Sequence, residues 1–386
     1  MKIGILKEKK RDERRVALRP EHVALLIDTG HHVWVEQGAG QAVGYSDDAY
    51  VKSGAQVCIA EEVYDKSKLL LKVKCPLEQE YKYLSDKHLL FTYLHFDENI
   101  QPANIKQIVA TGVTGIAYEW VENNGVFPLL QPMSELTGAV VARKAMSFLI
   151  ESKGVLGGRY RANWPASTAM VIGVGHVGAN AISVLFRNEY KLLVVDKHPE
   201  TVKKRLEEYA NVNNWANSNS QIIKFDESNI NQSITRLREC LSKTDIVICA
   251  AVRRTTLPKE QCEFIISRED LRLMEPKSVI CDATACTRDF IETCVATEGI
   301  DETYVEEGMI HYNCDHAPSV VAKTATDLLT DATFPYIKLL AEEGFENSIL
   351  KSSELAKAVM CFRKHLTHQH SAEKKHLEYI PLSNLL

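Results

Sequence analysis

Residues 168–196 read TAMVIGVGHVGANAISVLFRNEYKLLVVD, and this stretch decides the fold. A short apolar run leads into Gly173, Gly175 and Gly178, an apolar-periodic helix follows, and a second apolar run ends at Asp196. A strand, a glycine-rich turn, a helix and a second strand in this order are typical of a dinucleotide-binding βαβ unit. The stretch therefore predicts a doubly wound, mainly parallel α/β sheet.

The same residues favour one dinucleotide over another. Gly173, Gly175 and Gly178 allow the backbone to approach a pyrophosphate at a helix N-terminus, where free N–H groups and the helix dipole favour negative charge. Asp196, 23 positions after Gly173, is placed to accept hydrogen bonds from a ribose diol, and its charge would repel a 2′-phosphate. These residues predict NAD rather than NADP as the cofactor.

A membrane span is the alternative interpretation of this region, because residues 165–186 contain no Asp, Glu, Lys or Arg. The glycines, His176 and Asn180 are typical of a buried βα unit instead. We therefore expect no membrane partner.

Length and composition describe an ordinary globular chain. With 386 residues and 45% hydrophobic content it can form two or three domains with sizeable cores. The net charge of −5, with Lys and Arg spread throughout, provides no basic stripe for nucleic acid. The start MKIGILKEKKRDERR is the reverse of a secretory signal peptide, so we expect a cytoplasmic protein.

Ten cysteines are scattered without a C-x-x-C pair, which predicts reduced and mostly buried thiols. His311, Cys314 and His316 are the nearest approach to a metal cluster. Alternation at the end of a strand explains their spacing equally well, and we expect no metal site.

The order of apolar runs indicates two domains. Short strands alternate with helices through the first third, a long helix begins at Ser134 and ends near Ser152, and further βα units follow Asp196. This rhythm predicts two Rossmann-like doubly wound parallel-sheet domains that flank a cleft and are joined by long helices.

The domain boundaries follow from the same pattern. Residues 1–131 plus 318–386 are predicted to form a substrate domain, and residues 132–317 the NAD-binding domain. Within the C-terminal part, helices are predicted through residues 319–340 and 352–366.

Three side chains near the ends of apolar runs are candidates for chemistry, because ligands of open α/β sheets lie outside the carboxyl ends of strands. Arg15 follows the first strand, Lys74 closes LLLKVK, and His95 closes HLLFTYLH. An arginine and a lysine are suited to hold a small carboxylate, and a histidine can shuttle the proton that accompanies hydride transfer. Each also has an ordinary interpretation, as a surface cation, an edge-strand charge or a strand-end imidazole.

Seven segments spread over nearly the whole chain match one family. They read MKIGILKEKKRDERRVALRPEHVALL, GHHVWVEQGAGQAVGYSDDAY, LLLKVKCPLEQEYKYL, LFTYLHF, TGVTGIAYEWV, PLLQPMSELTG and IHYNCDHAPSVVAKTATDLLTDATFPYIKLL. Together they closely resemble alanine dehydrogenase, whose superfamily includes the alpha subunit of nicotinamide nucleotide transhydrogenase and, more distantly, saccharopine dehydrogenase. The resemblance is strongest before residue 140.

The resemblance implies a function and the residues that perform it. Arg15 and Lys74 would hold the substrate carboxylate and carbonyl, His95 would be the general acid/base, and Ser134 would lie near the nicotinamide. A 2-amino acid would lose hydride from its α-carbon to NAD, and hydrolysis of the imine would yield a 2-oxo acid and ammonia. The family also implies a homo-oligomer.

One departure from the family falls at a catalytic position. Alanine dehydrogenases carry a pattern like D-x-A-x-D-Q-G-G, and its second aspartate assists catalysis. Here Asp282 keeps the first aspartate, whereas Cys286 replaces the second. A neutral thiol cannot stabilise a developing ammonium as a carboxylate does. Asp289 and Asp315 are the candidates to substitute for it.

Two further departures point away from plain alanine. Asp315-His316-Ala-Pro-Ser resembles the D-H-L-P-S of saccharopine dehydrogenases, which join an amino acid to a 2-oxo acid through a secondary amine. Arg253 and Arg254 occupy a loop that is apolar in the family. They are candidates to bind a second substrate carboxylate or the cofactor phosphates, and the alternative is two exposed surface arginines.

Three functions remain open on these grounds. The leading hypothesis is an NAD-dependent oxidoreductase that acts on the C–N bond of an amino acid. The first alternative is a saccharopine- or opine-type reductase that condenses a 2-oxo acid with an amine. The second is a dinucleotide-binding homologue without catalysis, which the aspartate lost at Cys286 suggests.

Overall fold

The protein consists of two compact units. The structure, a computed structural model, describes residues 1–98, 100–159, 161, 164–213, 215, 220–252, 263–284 and 286–386. Unit 1 comprises Met1–Met133 and Val321–Leu386, and unit 2 comprises Ser134–Val320.

Strands and helices alternate along the described chain. The strands are β1 (Lys2–Ile5), β2 (His32–Glu36), β3 (Gln56–Cys58), β4 (Leu69–Leu71), β5 (Leu89–Thr92), β6 (Thr114–Ala117), β7 (Thr168–Ile172), β8 (Lys191–Asp196), β9 (Gln221–Lys224), β10 (Ile246–Cys249), β11 (Val279–Asp282), β12 (Tyr304–Glu306), β13 (Met309–Tyr312), β14 (Val359–Phe362) and β15 (His365–Leu366). The helices are α1 (Pro20–Asp28), α2 (Asp47–Lys52), α3 (Ala60–Lys66), α4 (Pro102–Ala110), α5 (Gln131–Lys153), α6 (His176–Arg187), α7 (Val202–Ala210), α8 (Ile230–Leu241), α9 (Arg268–Leu271), α10 (Ala322–Lys351), α11 (Ser353–Lys357) and α12 (Gln369–Lys375).

The sheet of unit 1 has eight strands among the described residues, in the order β15-β14-β6-β5-β4-β1-β2-β3. The strands from β6 to β3 are parallel, and β14 and β15 are antiparallel additions at one edge. The central strands are buried along their whole length, as parallel strands covered by helices on both faces must be. Their carboxyl ends meet at one edge of the sheet.

The predicted helix over residues 352–366 is wrong. Helix α11 ends at Lys357, and Val359–Phe362 forms strand β14, which pairs antiparallel with β6. Arg363 and Lys364 both have positive φ, 48° and 65°, and form the two-residue turn of a hairpin with β15. Strand β14 is buried throughout, so its apolar run lacks the polar alternation that distinguishes a strand from a buried helix.

The sheet of unit 2 has seven described strands in the order β12-β13-β11-β10-β7-β8-β9. Only β12, at the edge, runs antiparallel within this described set. Strands β7, β10, β11 and β13 are neighbours, so the loops that follow them share the carboxyl edge.

Each unit packs around its own core. In unit 1 Leu70 and Leu90 of the sheet pack with Ile105 of α4, and in unit 2 Met170 and Val247 of adjacent strands belong to one cluster. The predicted fold class, two mainly parallel Rossmann-like sheets, is confirmed. Within the described ranges, no helix has the length and apolar character that a membrane crossing requires.

Candidate active site

The candidate substrate residues of unit 1 lie near one edge of its sheet. Strands β1, β4, β5 and β6 are parallel neighbours, so their carboxyl ends lie side by side. Lys74 lies shortly after β4 and His95 shortly after β5, while Arg15 lies in the loop between β1 and α1.

Lys74 and His95 are brought into contact. The Lys74 ammonium Nζ lies 3.4 Å from Nε2 of His95. His95 has a left-handed backbone with φ of 50°, and its ring stacks on that of Tyr93 with centroids 5.4 Å apart. A left-handed conformation is uncommon outside glycine and persists where the surrounding contacts determine it. The position of this imidazole is therefore set by its neighbours.

Arg15 is only 3% exposed, and Glu13 holds its guanidinium. Nε donates to one carboxylate oxygen of Glu13 at 2.7 Å and Nη2 to the other at 2.6 Å, while Nη1 lies 3.2 Å from Sδ of Met133. A guanidinium carries five N–H groups, so a second hydrogen remains on Nη1 and on Nη2 beyond these contacts. Those two hydrogens form the fork that binds a carboxylate bidentately.

Tyr93 supports the ring of His95 and lies within the electrostatic influence of Arg15. Burial raises the pKa of the Tyr93 phenol, and the charge of Arg15 opposes that rise. The Tyr93 hydroxyl donates to the carbonyl of Leu129 at 2.6 Å, which fixes the ring on which His95 stacks. Lys74 and His95 are therefore in direct contact, whereas the Arg15 guanidinium contacts Glu13 and Met133.

Two buried glutamates, neither of them predicted from the sequence, hold the backbone of Lys74 and His95. Glu8, after β1, accepts the N–H of Val73 at 2.6 Å and that of Lys74 at 3.3 Å. Glu119, after β6, accepts the N–H of His95 at 2.6 Å. Strands β1 and β6 flank β4 and β5, so each carboxylate reaches across to the end of the neighbouring strand. A carboxylate just beyond a strand is the available sequence signal, and it is a weak one.

Glu8 belongs to a buried cluster of charges beneath Lys74. Nζ of Lys72 lies 2.9 Å from Glu80 and 3.7 Å from Glu8, and the Tyr64 hydroxyl donates to Glu80 at 3.0 Å. Burial raises the pKa of Glu8 to about 7, and the charge of Lys72 opposes that rise. The cluster keeps the end of strand β4 in place from inside the unit.

Glu98 lies beside the other nitrogen of His95. Its carboxylate oxygen is 3.1 Å from Nδ1 of His95. Desolvation favours the neutral form, but the charges of His95, Lys74 and Lys374 outweigh it and lower the pKa of Glu98 to about 2. A carboxylate therefore lies on the Nδ1 side of the ring, and Nε2 faces Lys74.

The glycine turn of unit 2 has the geometry that a dinucleotide requires. A Cβ at Gly178 would lie 1.9 Å from the carbonyl oxygen of Gly173, and Gly173 has φ of 88°. In contrast, a Cβ at Gly175 would meet nothing within 4 Å among the described atoms. Gly175 is the N-cap of α6, which no described side chain caps, and this open space before a helix N-terminus suits a phosphate.

Asp196 ends β8, and the protein itself engages its carboxylate. Oδ2 accepts the N–H of Val174 at 2.8 Å, and Oδ1 accepts the N–H of His198 at 2.9 Å and Nη2 of Arg205 at 2.7 Å. Desolvation acts to raise the pKa of Asp196, but Arg205 and the two backbone donors outweigh it and lower the pKa. The pairing with Arg205 was not foreseen from the sequence.

Cys286 lies in the turn after β11, at the same edge of the sheet. Asp282 shapes this turn, because its Oδ1 accepts the N–H of Thr284 at 2.9 Å and the Thr284 hydroxyl at 2.6 Å. Burial raises the pKa of the Cys249 thiol, with Asp282, Asp289 and Cys286 contributing to the effect. Asp289 follows Cys286 by three positions in the loop after β11.

The remaining predicted residues of unit 2 are less tightly connected. Ser134 lies near the start of α5 and is half-buried. Asp315 follows β13, and its Oδ1 lies 2.6 Å from Nδ1 of the buried His316. Arg253 and Arg254 lie outside the described residues.

Among His311, Cys314 and His316, the two histidines contact side chains outside the trio, Thr293 and Asp315. Nε2 of His311 lies 2.9 Å from the Thr293 hydroxyl, and its ring stacks on Tyr304. Cys314 Sγ lies 3.7 Å from Nδ1 of His316. Among the residues that the structure describes, no three side chains form a group able to hold a metal ion.

Two family models together match almost the whole chain. The model described as "Alanine dehydrogenase/PNT, N-terminal domain" matches residues 4–137, and "Alanine dehydrogenase/PNT, C-terminal domain" matches residues 139–369. The chain belongs to the alanine dehydrogenase/PNT family. The family predicted from the quoted segments is confirmed.

Relatives named alanine dehydrogenase match from end to end. The protein of Staphylococcus haemolyticus is 32% identical over 100% of this chain and 99% of its own length. Those of Methanococcus maripaludis and Bacillus subtilis are each 30% identical over 100% of this chain, and over 100% and 98% of their own lengths.

Solved structures agree with this assignment. An L-alanine dehydrogenase matches with a TM-score of 0.82 and 28% identity, over 97% of this chain and 99% of its own. A transhydrogenase from Sinorhizobium meliloti, with a TM-score of 0.70 and 21% identity over 95% of this chain and 99% of its own, shares the fold.

Proposed function

We propose that this alanine dehydrogenase relative is an NAD-dependent oxidoreductase that acts on the C–N bond of a small 2-amino acid. Its full-length relatives carry the name alanine dehydrogenase, and the prediction of an amino-acid dehydrogenase is confirmed at that level. The observation that supports the chemistry is the contact of Lys74 Nζ with His95 Nε2 at 3.4 Å, at the sheet edge where the loop that carries the buried Arg15 also begins.

Unit 1 would bind the substrate and move the proton. The remaining fork of Arg15 binds the carboxylate that every 2-amino acid and 2-oxo acid carries. Lys74 donates to the carbonyl oxygen of the oxo acid and stabilises the negative charge that develops there. His95 accepts a proton from the water that attacks the imine, and it returns a proton in the reverse direction.

Unit 2 would hold the cofactor, which accepts or donates the hydride. The turn at Gly173, Gly175 and Gly178 binds its pyrophosphate, and Asp196 binds the adenosine ribose. Ser134 contacts the nicotinamide end, on the strength of the family resemblance. The open space at Gly175 supports this assignment, since backbone N–H groups can approach a phosphate only where no Cβ intervenes.

The identity of the nitrogen partner depends on the turn at Cys286. A thiol offers an incoming ammonium less stabilisation than the family aspartate, and Asp289 is the neighbouring carboxylate that supplies the charge. The segment Asp315-His316-Ala-Pro-Ser, through its resemblance to saccharopine dehydrogenases, is the feature that favours the second candidate, a reductase that condenses a 2-oxo acid with an organic amine. In that reaction Arg253 or Asp315 would contact the second substrate.

A substrate panel tests the proposal in both directions. The protein is incubated with NAD and pools of amino acids, and with NADH, 2-oxo acids and either ammonia or organic amines, while absorbance and product mass are recorded. We expect turnover of a small amino acid and of its oxo acid with ammonia. Turnover only with organic amines would replace this reaction by the condensing one, and dinucleotide binding with no turnover would replace both.

His95 provides the first test of the residue roles. We expect His95→Gln to lower kcat by about 10²- to 10⁴-fold, the usual contribution of a general acid/base, with NADH affinity unchanged. Kcat is measured at saturating substrate, and NADH affinity by fluorescence titration. Unchanged kcat would remove His95 from the mechanism.

We also propose that the protein works as a cytoplasmic homo-oligomer on small molecules. The family resemblance supports the oligomer, and scattered cysteines without a C-x-x-C pair fit a reducing compartment. Sedimentation of the protein as a monomer at assay concentration would contradict the oligomer.

A further inference from the structure

Arg205, on helix α7, contacts Asp196, the residue proposed to bind the adenosine ribose. Its Nη2 donates to Asp196 at 2.7 Å and lies 3.3 Å from the carbonyl of His198, and its Nη1 donates to the carbonyl of Val174 at 2.9 Å. The guanidinium therefore extends from the glycine turn to the end of β8, beside the carboxylate that recognises ribose hydroxyls.

This pairing leaves Asp196 little capacity to discriminate between NAD and NADP. A carboxylate offers about four lone-pair sites, and three of those of Asp196 already accept from Val174, His198 and Arg205. The residue is 7% exposed, so the attraction of Arg205 is only weakly screened by solvent. The negative charge that should repel a 2′-phosphate is consequently balanced by a fixed positive charge in contact with it.

Arg205 also has a donor that no described residue uses. Its Nε is buried and has no hydrogen-bond partner among the described residues. Buried N–H groups without a partner are rare in native proteins, and they point to a partner that the chain does not supply. Lys197 and His198, both largely exposed, add basic side chains beside the same loop, although Lys197 is paired with Glu227 at 2.8 Å.

We propose that Arg205 is a specificity-determining residue that lets the ribose site accept a 2′-phosphate, so that this chain binds NADP(H) as well as NAD(H). An arginine near the end of the second strand is the group that accommodates the 2′-phosphate in NADP-binding folds of this type. On binding NADPH, Arg205 keeps its contact with Asp196 and turns its remaining donors to the phosphate. On binding NADH, the ribose diol shares the last acceptor site of Asp196.

The inference rests on the proposed dinucleotide site, but not on the proposed reaction. It relaxes the preference for NAD over NADP that Asp196 alone predicts, because that preference assumes a carboxylate without a cation beside it. The competing explanation is that Arg205 only orients Asp196 for the ribose of NADH. The two explanations predict different changes in the affinity for NADH and for NADPH when Arg205 is replaced.

Equilibrium binding separates them without any turnover. NADH and NADPH are titrated separately into the full-length protein, and the Kd of each is obtained from the fluorescence of the reduced nicotinamide. For the wild type we expect the Kd of NADPH to lie within about tenfold of that of NADH. Arg205→Met should raise the Kd of NADPH about tenfold, the value of one charge-assisted hydrogen bond, with less effect on NADH.

Two further variants guard against a general loss of structure. Arg205→Lys keeps the charge beside Asp196 and should retain most of the NADPH affinity. Lys204→Ala is the matched control, because Lys204 is a neighbouring cation of α7 that is 74% exposed and pairs with Glu208 instead. Its two Kd values should equal those of the wild type, and circular dichroism of every variant verifies folding.

The results divide cleanly. A wild-type Kd for NADPH more than about a hundredfold above that for NADH overturns the inference, as does an equal rise of both Kd values in Arg205→Met. If NADPH binding depends on Arg205 while the substrate panel shows no turnover, the proposed reaction fails and this inference stands. If turnover occurs with NADH and NADPH does not bind, the reverse holds.

Discussion

Lys72 and Lys74, two positions apart at the end of β4, have opposite environments. Lys72 is 1% exposed and lies between the carboxylates of Glu8 and Glu80. Lys74 is half-buried and contacts His95. In strand-like backbone alternate residues point to the same face, so two lysines this close look equivalent in sequence. Their contacts assign one to the stability of unit 1 and the other to the proposed chemistry.

Substitution of each lysine by methionine tests this division. Lys72→Met leaves two buried carboxylates without their cation and should lower the free energy of unfolding by about 3–5 kcal/mol. Lys74→Met should leave stability nearly unchanged and lower kcat/KM about a hundredfold, because a charged hydrogen bond to substrate is lost. Urea titration measures the first quantity and steady-state kinetics the second.

The two variants are controls for each other. Adding Glu80→Gln to Lys72→Met should recover part of the lost stability, because it removes one of the unpaired charges. A stable Lys72→Met protein would show that Glu8 and Glu80 do not depend on this cation. A fully active Lys74→Met protein would remove Lys74 from the substrate site.

At the residue scale, the sequence predicts candidate side chains more readily than the contacts that hold them. Lys74 and His95 close apolar runs and Arg15 follows the first strand, so their positions made them candidates, and the family resemblance implied their roles. Glu8 and Arg205 were missed because a charged residue is usually exposed, and nothing local shows that folding will bury one. Their roles arise from strands or turns that meet only in the folded sheet.

At the scale of the element, the glycine turn that joins β7 to α6 contains one glycine that is closely packed and one that faces open space. Gly178 is closely packed, since a Cβ there would lie 1.9 Å from the carbonyl oxygen of Gly173. Gly175 has open space in front of it. The motif in the sequence does not separate a glycine needed for packing from one needed for a ligand.

Alanine substitutions at the two positions should therefore affect different properties, stability at Gly178 and NADH binding at Gly175. Gly178→Ala should lower the free energy of unfolding by at least about 1–3 kcal/mol, the usual cost of overpacking. Gly175→Ala should fold normally and bind NADH less tightly, because its methyl group enters the space proposed for the pyrophosphate. Thermal unfolding without ligand and fluorescence titration with NADH provide the two measurements. Equal NADH affinity in Gly175→Ala and wild type would show that the pyrophosphate does not bind at Gly175.

The helices and strands were predictable from the sequence where the hydrophobic pattern matches the burial of the element. The strand, glycine turn, helix and strand of residues 168–196 appear as β7, α6 and β8, because each apolar run is bounded by glycines or polar residues. The C-terminal hairpin was mispredicted because β14 is buried on both faces. Its antiparallel pairing with β6 is a long-range contact, which no local periodicity contains.

In the whole molecule, the proposed functions are divided between two sheets, and in both sheets the candidate residues lie at the carboxyl ends of parallel strands. In unit 1 the end of β4 carries Lys74 and the end of β5 carries His95, while in unit 2 the end of β8 carries Asp196. Each sheet provides a row of strand ends, and the loops there differ in sequence without disturbing the core. Cys286, a departure from the family, falls in such a loop, where a change of residue leaves the fold unchanged.

The pH dependence of stability is also a property of the whole molecule, because every group whose pKa changes on folding contributes to it. His311 is fully buried, hydrogen-bonded to Thr293 and stacked on Tyr304. Burial lowers its pKa from 6.5 to about 4. Between these two values the unfolded chain binds a proton that the folded unit 2 excludes, so stability falls as the pH falls through this window.

The contribution of His311 can be isolated by comparing pH profiles. On acidification from pH 7 to pH 5, His311 should cost unit 2 on the order of 2 kcal/mol of unfolding free energy. His311→Gln should flatten the profile by about this amount, even if it is less stable at pH 7. Thr293→Val removes the hydrogen bond but keeps the titrating ring, so its profile should run parallel to that of the wild type. Hydrogen exchange of the peptide containing β13 in rising urea reports on unit 2 alone. Parallel profiles for His311→Gln and the wild type would show that this imidazole does not exclude its proton in the folded protein.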